Sequence, residues 1–281
     1  MQELKFARPP KPGFFHEKPT RSSFFAPVRR SAKRFIRYTI DHGWFGLTPL
    51  ETHVVICGFP RSGSTLLQLI VETCVSDLKK FGRERRALDA AQAPFRNQRF
   101  MMTKKPSDIF MMDEIRAFYA SHKPQVRFVL TIRDPRAVLS SRHAALEEGE
   151  FVATPEVWHA TYTHFQYARQ FDDVAVVKFE ELVINPDTVQ KRLTDFIGWH
   201  VHHPFSEFHT AVPPEWQELK PTASLNLNGL RPLDKNTIEK WKDEKRQEHI
   251  RKLLIEMPEL PQRLIEMGYE ADTSWTRHYV S

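Results

Sequence analysis

The segment Gly58-Phe-Pro-Arg61-Ser62-Gly63-Ser64-Thr65 concentrates the anion-binding chemistry of this chain. Two glycines separated by four residues let a strand-to-helix turn aim its backbone N–H groups at one spot. There, with the start of the following helix, they cradle phosphate or sulfate oxygens. The spacing is that of a Walker A loop, but Ser64 stands where the lysine after the second glycine should be. A nucleoside triphosphatase without that lysine loses its main contact to the terminal phosphates. Here the cation lies inside the loop, at Arg61. Its planar guanidinium holds two oxygens at once, and Ser62, Ser64 and Thr65 add hydroxyl donors. The plainer alternative is a turn that merely uses glycines and a capping serine.

A second cation of this kind is Arg133, at the end of the apolar run 126–132, with Ser141 eight residues further on. Taken alone, an arginine at a strand end is commonly a surface ion pair. Beside the first loop, Arg133 and Ser141 predict a second grip on a ligand that carries two anionic groups. A third cationic element, Thr103-Lys104-Lys105-Pro106, follows a short apolar stretch and precedes a helix start. No spacing of histidine, cysteine or carboxylate predicts a metal site, and His202-His203 reads as surface or core.

These groups need elements to hold them. Residues 53–57 are β-branched and continuous, then the loop breaks the run, and 64–71 resumes at helical spacing: strand, tight loop, helix. Residues 126–132 form a second strand. Asp134 as N-cap and Pro135 at the first helical position start a helix over 136–147, which would carry Ser141 about two turns in. Further strands are expected at 99–103 and 174–179, and helices at 107–122, near 155–171, near 187–198 and from about Thr237, with Trp241, Ile250, Leu253 and Leu254 inward. Strands alternating with helices predict an α/β fold, P-loop-like and three-layered, with a mainly parallel central sheet flanked by helices. In such a sheet the carboxyl ends of neighbouring strands share one edge, where ligands bind.

Gly58-Phe-Pro-Arg-Ser-Gly-Ser-Thr-Leu-Leu resembles the 5′-phosphosulfate loop of the sulfotransferases that use 3′-phosphoadenosine 5′-phosphosulfate, and Ile132-Arg133-Asp-Pro-Arg-Ala-Val-Leu-Ser-Ser141 resembles their 3′-phosphate motif. The resemblance spans roughly residues 53–270 in layout. It implies that Arg61, Ser62, Gly63, Ser64 and Thr65 surround the 5′-phosphosulfate and that Arg133 and Ser141 hold the 3′-phosphate, with 3′,5′-adenosine bisphosphate as product and no metal. Arginine in the first loop is similar to the tyrosylprotein, carbohydrate and bacterial branches; the cytosolic branch has lysine there and a tryptophan at the place of Leu66. In-line transfer to a hydroxyl or amine needs a base on the acceptor and positive charge on the leaving oxygen. The resemblance points to Lys104 for that charge, with Lys105 the other choice, and Arg61 beside it. It implies a carboxylate base some twenty residues after the loop, Glu84, with Asp89 in reserve. A surface charge cluster is the other reading of Glu84. Trp241-Lys242 is similar to the start of the family's C-terminal basic segment, but its glycines are missing, so Lys235 and Lys242 are read as a solvated face.

Composition bounds the rest. The chain has 281 residues with 41% apolar content, enough for a real core, and its two cysteines, Cys57 and Cys74, exclude a disulfide framework and a four-cysteine zinc site. A reducing, cytoplasmic setting is expected, without a membrane span or secretory signal. The net charge is +6, but residues 1–40 hold ten Lys/Arg against Glu3 and Glu17, leaving the remainder at −2. That argues against nucleic acid as a partner, which would need a basic face on the folded body. Residues 1–50 are read as a basic, Pro/Phe-rich arm and 51–281 as the sulfotransferase-like domain. The arm is expected to be extended, its phenylalanines docked on the domain; the alternative is contact with an anionic membrane or a partner. Trp158, Trp216 and the aromatics near Phe205 either line an acceptor groove or pack the core. Two other functions stay open: a nucleotide or small-molecule kinase with a degenerate Walker loop, and a nucleotide-binding protein without turnover.

Overall fold

A computed structural model describes residues 5–16, 26–81, 84–93, 97–142, 151–211 and 232–279. Five strands, β1 (Thr52–Gly58), β2 (Leu78–Lys79), β3 (Phe100–Lys104), β4 (Gln125–Ile132) and β5 (Val174–Lys178), form one sheet in the order β2-β3-β1-β4-β5. Every ladder is parallel, with Ile56 opposite Lys104, Gly58 opposite Thr131 and Ile132 opposite Lys178. The chain moves from β1 to the β2 edge, returns through β3, and crosses to β4. The connections after β1 and β4 therefore leave in opposite directions, which opens a crevice beyond their carboxyl ends.

Alternate side chains of the strands enter two cores, as a sheet covered on both faces requires. Val54 and Ile56 of β1 and Val129 of β4 pack with α2 (Ser64–Cys74) and α8 (Pro186–Ile197). Val55 and Cys57, with Phe128, Leu130 and Ile132, face the other layer. There they meet α4 (Met112–Ala120), α5 (Pro135–Leu139), α6 (Pro155–Ala168), and the later helices α9 (Glu244–Glu256) and α10 (Leu260–Glu266). Trp241, Ile250 and Leu253 are buried in this layer, and Leu254 is half-buried against it. Trp158 and Phe205 are fully buried, so they are core residues and not groove residues; Trp216 lies outside the described residues. Both cysteines are free and buried; burial pushes the Cys74 thiol up to about 12 and Cys57 well up too.

Several elements depart from expectation. The arm is not wholly extended, because α1 runs over Ala26–Asp41. All five early prolines precede Val28, Pro27 sits in the first helical turn where it is tolerated, and Gly43 in the left-handed region (φ 69°) follows the helix. Residues 5–16 do dock: Phe14 and Phe15 meet Phe110 at 6.1 and 5.3 Å, and Arg8 and Lys11 pair with Glu114. Phe24 and Phe25 lie outside the described residues. The expected helix over 107–122 begins as a 3-10 turn, Pro106–Met111, before α4. The short helices α3 (Ala87–Ala91) and α7 (Phe179–Ile184) carry no long apolar period; α7 takes Phe179 from the end of the expected strand.

The helix after β4 starts as expected, with Asp134 accepting the Arg136 N–H at 2.8 Å, but stops at Leu139. Ser141 thus lies beyond the helix, not two turns into it. The Ser140 hydroxyl bonds back to the Arg136 carbonyl at 2.6 Å, a local bond that competes with helix continuation. Residues 143–147 of that expected helix are outside the described ones. Among the described residues, no helix is long and apolar enough to cross a membrane.

Candidate functional site

The loop after β1 is built on two glycines whose positive φ and close neighbours oppose a Cβ. At Gly58 (φ 124°) a Cβ would lie 2.5 Å from the Thr131 carbonyl oxygen, where β1 runs against β4. At Gly63 (φ 83°) it would lie 2.5 Å from Cδ2 of Phe179. Between them Arg61 is held left-handed at φ 61°, a conformation that costs a non-glycine residue about 1–2 kcal/mol. Such strain persists only where the surroundings enforce it. Ser62 supplies part of that enforcement: its buried hydroxyl donates to the Phe59 carbonyl at 2.5 Å and meets Thr131 Oγ1 at 2.7 Å. That hydroxyl is used inside the loop, which leaves Ser62 its backbone N–H for a ligand. Gly63 caps α2 without a side-chain hydrogen bond, and the first intrahelical bond is from Leu67 to Gly63. The N–H groups of the first turn, at Ser64, Thr65 and Leu66, therefore point out of the helix end without intrahelical partners, with the positive end of the helix dipole.

Arg61 donates from Nε to Ser141 Oγ at 2.9 Å, so the loop after β1 and the segment after β4 touch directly. Arg133 lies over the Phe179 ring at 4.1 Å and donates from Nη2 to the Thr237 carbonyl at 2.6 Å, while its buried Nε has no partner. Arg246, in the first turn of α9, donates to the Ser140 carbonyl at 3.1 Å. Sequence reasoning missed Arg246, although a cation in a helix's first turn, against the dipole, is itself a signal.

The three arginines share an electrostatic signature. Burial holds Arg61, Arg133 and Arg246 below the usual guanidinium range; at Arg133 the charges of Glu180 and Asp134 work against burial, and those of Arg61 and Arg246 add to it. None of the three has a carboxylate within ion-pair distance among the described residues. Arg136 is the contrast. It pairs with Asp134 and Glu270, lies over Trp241 at 3.7 Å, and those pairs outweigh burial to raise it. Trp241 is thus packed under a structural arginine, while Lys242 pairs with Glu239 on the exposed surface and Lys235 is exposed.

Lys104 ends β3 beside β1, and its side chain is 4% exposed. Nζ donates to Thr65 Oγ1 at 3.0 Å in the first turn of α2, and to Glu84 Oε1 at 2.9 Å. Lys105 Nζ takes the other oxygen, Oε2, at 2.7 Å. Burial pushes the Glu84 carboxyl up, but the hydrogen bonds from Lys105 and Lys104 outweigh it and hold the group below the ordinary glutamate range. The Arg85 N–H donates to the Lys104 carbonyl at 3.1 Å and fixes this backbone to the strand end. Glu84 is therefore brought to Lys104, whereas Asp89 lies on α3 at the rim of an open cleft of about 620 Å³. Lys33, Glu84, Arg85, Arg86 and Lys105 also line that cleft. Lys104 reaches the open end of α2 through Thr65, Arg61 reaches Ser141, Arg246 reaches Ser140, and Arg133 feels the charges of both Arg61 and Arg246.

His202 bonds with Ser76 and His203 with the Glu207 carbonyl, both at the surface. Among the described residues no group of three or more His, Cys, Asp or Glu is placed to hold a metal ion.

A family model described as the sulfotransferase family matches residues 76–203, which include Glu84, Lys104, Arg133 and Ser141. Among solved structures, the chain is similar to a sulfotransferase domain from the curacin biosynthetic pathway, with a TM-score of 0.51 at 16% identity over 70% of this chain and 92% of that one. A sulfotransferase domain from the Synechococcus PCC 7002 olefin synthase gives 0.43 at 17% identity over 70% and 89%. No curated protein matches the sequence. The matched segment is similar to the sulfotransferase family, and the fold in which it sits is similar to that of a sulfotransferase domain.

Proposed function

We propose that this protein transfers a sulfuryl group from 3′-phosphoadenosine 5′-phosphosulfate to a hydroxyl acceptor. The observation that carries the reading is the set of three half-buried arginines, Arg61, Arg133 and Arg246, along the crevice beyond β1 and β4, which burial holds below their usual range and which have no carboxylate at ion-pair distance among the described residues. Partly desolvated cations that lack a contacting carboxylate favour an anion, and the buried Nε of Arg133, which has no hydrogen-bond partner, can donate to an anionic oxygen. Their spread over the loop after β1, the segment after β4 and the first turn of α9 suits a donor with an anionic group at each end.

Arg61 and the N–H groups of Ser62 through Thr65 would hold the phosphosulfate, and Arg133, Ser141 and Arg246 the 3′-phosphate. The donor supplies a sulfuryl group whose leaving atom is a phosphate oxygen. The acceptor oxygen forms its bond to sulfur as the bond from sulfur to that phosphate oxygen breaks. Lys104, beside Thr65, neutralises the charge that develops on the leaving oxygen. Glu84 is ionised at neutral pH and takes the hydroxyl proton. It faces the cleft lined by Lys33, Arg85 and Arg86, through which a polar acceptor reaches it. Lys104 bridges Glu84 and the α2 end, so its shift toward the leaving oxygen frees the carboxylate for that proton.

The test is a transfer assay with radiolabelled donor and a panel of sugar, phenol, peptide and lipid alcohols, native chain against Lys104→Met. Label transfer by the native chain alone supports the reading. Donor binding with no transfer to any acceptor favours a binding protein, and absence of donor binding removes the reading.

A further inference from the structure

We propose that the outer face of α1 and the turn after it form a docking surface for an anionic lipid bilayer. The inner side of α1 is fixed to the domain: Thr39, Ile40 and Asp41 are buried, and the Arg37 guanidinium lies 5.2 Å over the Phe118 ring and donates to the Ala91 carbonyl. The outer side carries Ser31, Arg34, Phe35, Tyr38 and His42, a stripe at helical spacing that faces solvent. Phe35 is 64% exposed and Tyr38 50%.

The stripe continues past the helix. Trp44 is 45% exposed and Phe45 90%, the most exposed large apolar side chain among the described residues. Phe45 is also left-handed at φ 58°, between Gly43 and Gly46 at φ 69° and 74°. A bulky residue in that region is strained, yet here the strain places an aromatic ring in water. Tyr38 lies against His42 at 3.9 Å and edge-on to Trp44 at 5.7 Å, so the cluster is assembled before any partner arrives.

Charge selects the occupant. The sequence from Ala26 to Gly46 holds Arg29, Arg30, Lys33, Arg34 and Arg37 against Asp41 alone, and Asp41 is buried. Arg34, on the outer side, has no carboxylate within ion-pair distance among the described residues, while Lys33 lies at the cleft beside Glu84 and Arg37 is turned to the domain. Exposed rings of Trp, Tyr and Phe beside the exposed Arg34, on a helix whose sequence is strongly basic, match the depth profile of a headgroup region, rings at the acyl boundary and cations on the phosphates. A second copy fits poorly, because two-fold pairing of this face would bring like charges together. This surface is independent of which group the enzyme transfers.

The test is co-sedimentation of the full chain with phosphatidylcholine vesicles, with and without phosphatidylserine. The chain is expected to pellet with the anionic vesicles only. Phe35→Ser with Phe45→Ser, both at exposed positions, should weaken that binding by at least about tenfold, and Arg34→Glu by on the order of tenfold. Thermal unfolding and 3′,5′-adenosine bisphosphate binding should stay as in the native chain. Equal binding to both vesicles, no binding to either, or an aromatic variant that binds like the native chain would overturn the proposal. So would light scattering that finds a native dimer which the aromatic variant turns into a monomer.

Discussion

The Nε of Arg61 and the hydroxyl of Ser141, 80 residues apart in sequence, are hydrogen-bonded at 2.9 Å. This bond joins the loop after β1 to the segment after β4, so the two candidate anion-binding elements are in direct contact. Arg61 reaches it from a left-handed backbone that Ser62 and the two glycines impose.

Arg133→Ala and Arg246→Ala should each weaken binding of 3′,5′-adenosine bisphosphate by about 1.5–3 kcal/mol, the worth of a hydrogen bond to a charged group. Binding of 5′-AMP, which lacks the 3′-phosphate, should change little. Calorimetric titration of both ligands separates the cases, and an equal loss for both would move these arginines away from the 3′-phosphate.

Lys104→Met should lower turnover by on the order of a hundredfold or more while donor affinity falls less, because the cation acts on charge that develops only during transfer. Steady-state kinetics with direct donor titration gives the split. A variant that loses affinity and keeps kcat assigns Lys104 to binding alone.

With Glu84 as the proposed base, the acid side of the pH profile is expected to follow its carboxyl. Its pKa is lowered by Lys105 and Lys104 against burial, so the acidic limb of kcat/KM in the native enzyme should lie below the ordinary glutamate range. Lys105→Met removes one of the two donors and should move that limb upward. A limb that stays put would show that another group is the base.

Asp108 gives a stability signature of the opposite sign. Buried at the start of α3, where it accepts the Ala87 N–H at 2.8 Å, it is pushed up to about 7 by burial. The native state binds a proton that the unfolded chain releases near 3.8, so this contribution is fully present below that value and is lost as pH rises through about 7. Asp108→Asn keeps the acceptor oxygen and removes the titration. Thermal melts should show the native chain losing stability relative to the variant between about pH 4 and 7.

Gly58→Ala should destabilise the protein by more than about 2 kcal/mol, because the new Cβ meets backbone that cannot move without breaking the β1–β4 ladder. Gly63→Ala should cost less when Phe179 is also cut to alanine, since the clash there is with a ring. Chemical denaturation of the single and double variants reads both effects.

The parts of the site carried by local pattern were legible in the sequence: the β-branched run into Gly58, the loop itself, Arg133 at the end of an apolar strand, and the Asp134-Pro135 helix start. Lys104 was legible for the same reason, as a cation at a strand end. What long-range packing decides was not. Arg246 reaches Ser140 from a helix more than a hundred residues away, and only its position against the helix dipole marks it. The short helix that leaves Ser141 outside depends on the back-bonding of Ser140, and α1 was hidden behind prolines that all fall before its second turn. Ser62 was read as a ligand hydroxyl, but its neighbour across the sheet, Thr131, draws that hydroxyl inward.

The crevice beyond β1 and β4 is expected to take a nucleotide through its 3′-phosphate without a metal. Calorimetric titration of the purified chain with 3′,5′-adenosine bisphosphate, 5′-AMP and ATP, each with and without Mg²⁺, tests it directly. Tight, Mg²⁺-independent binding that weakens sharply without the 3′-phosphate is the predicted result; a Mg²⁺-dependent preference for ATP would contradict it and point to phosphoryl transfer.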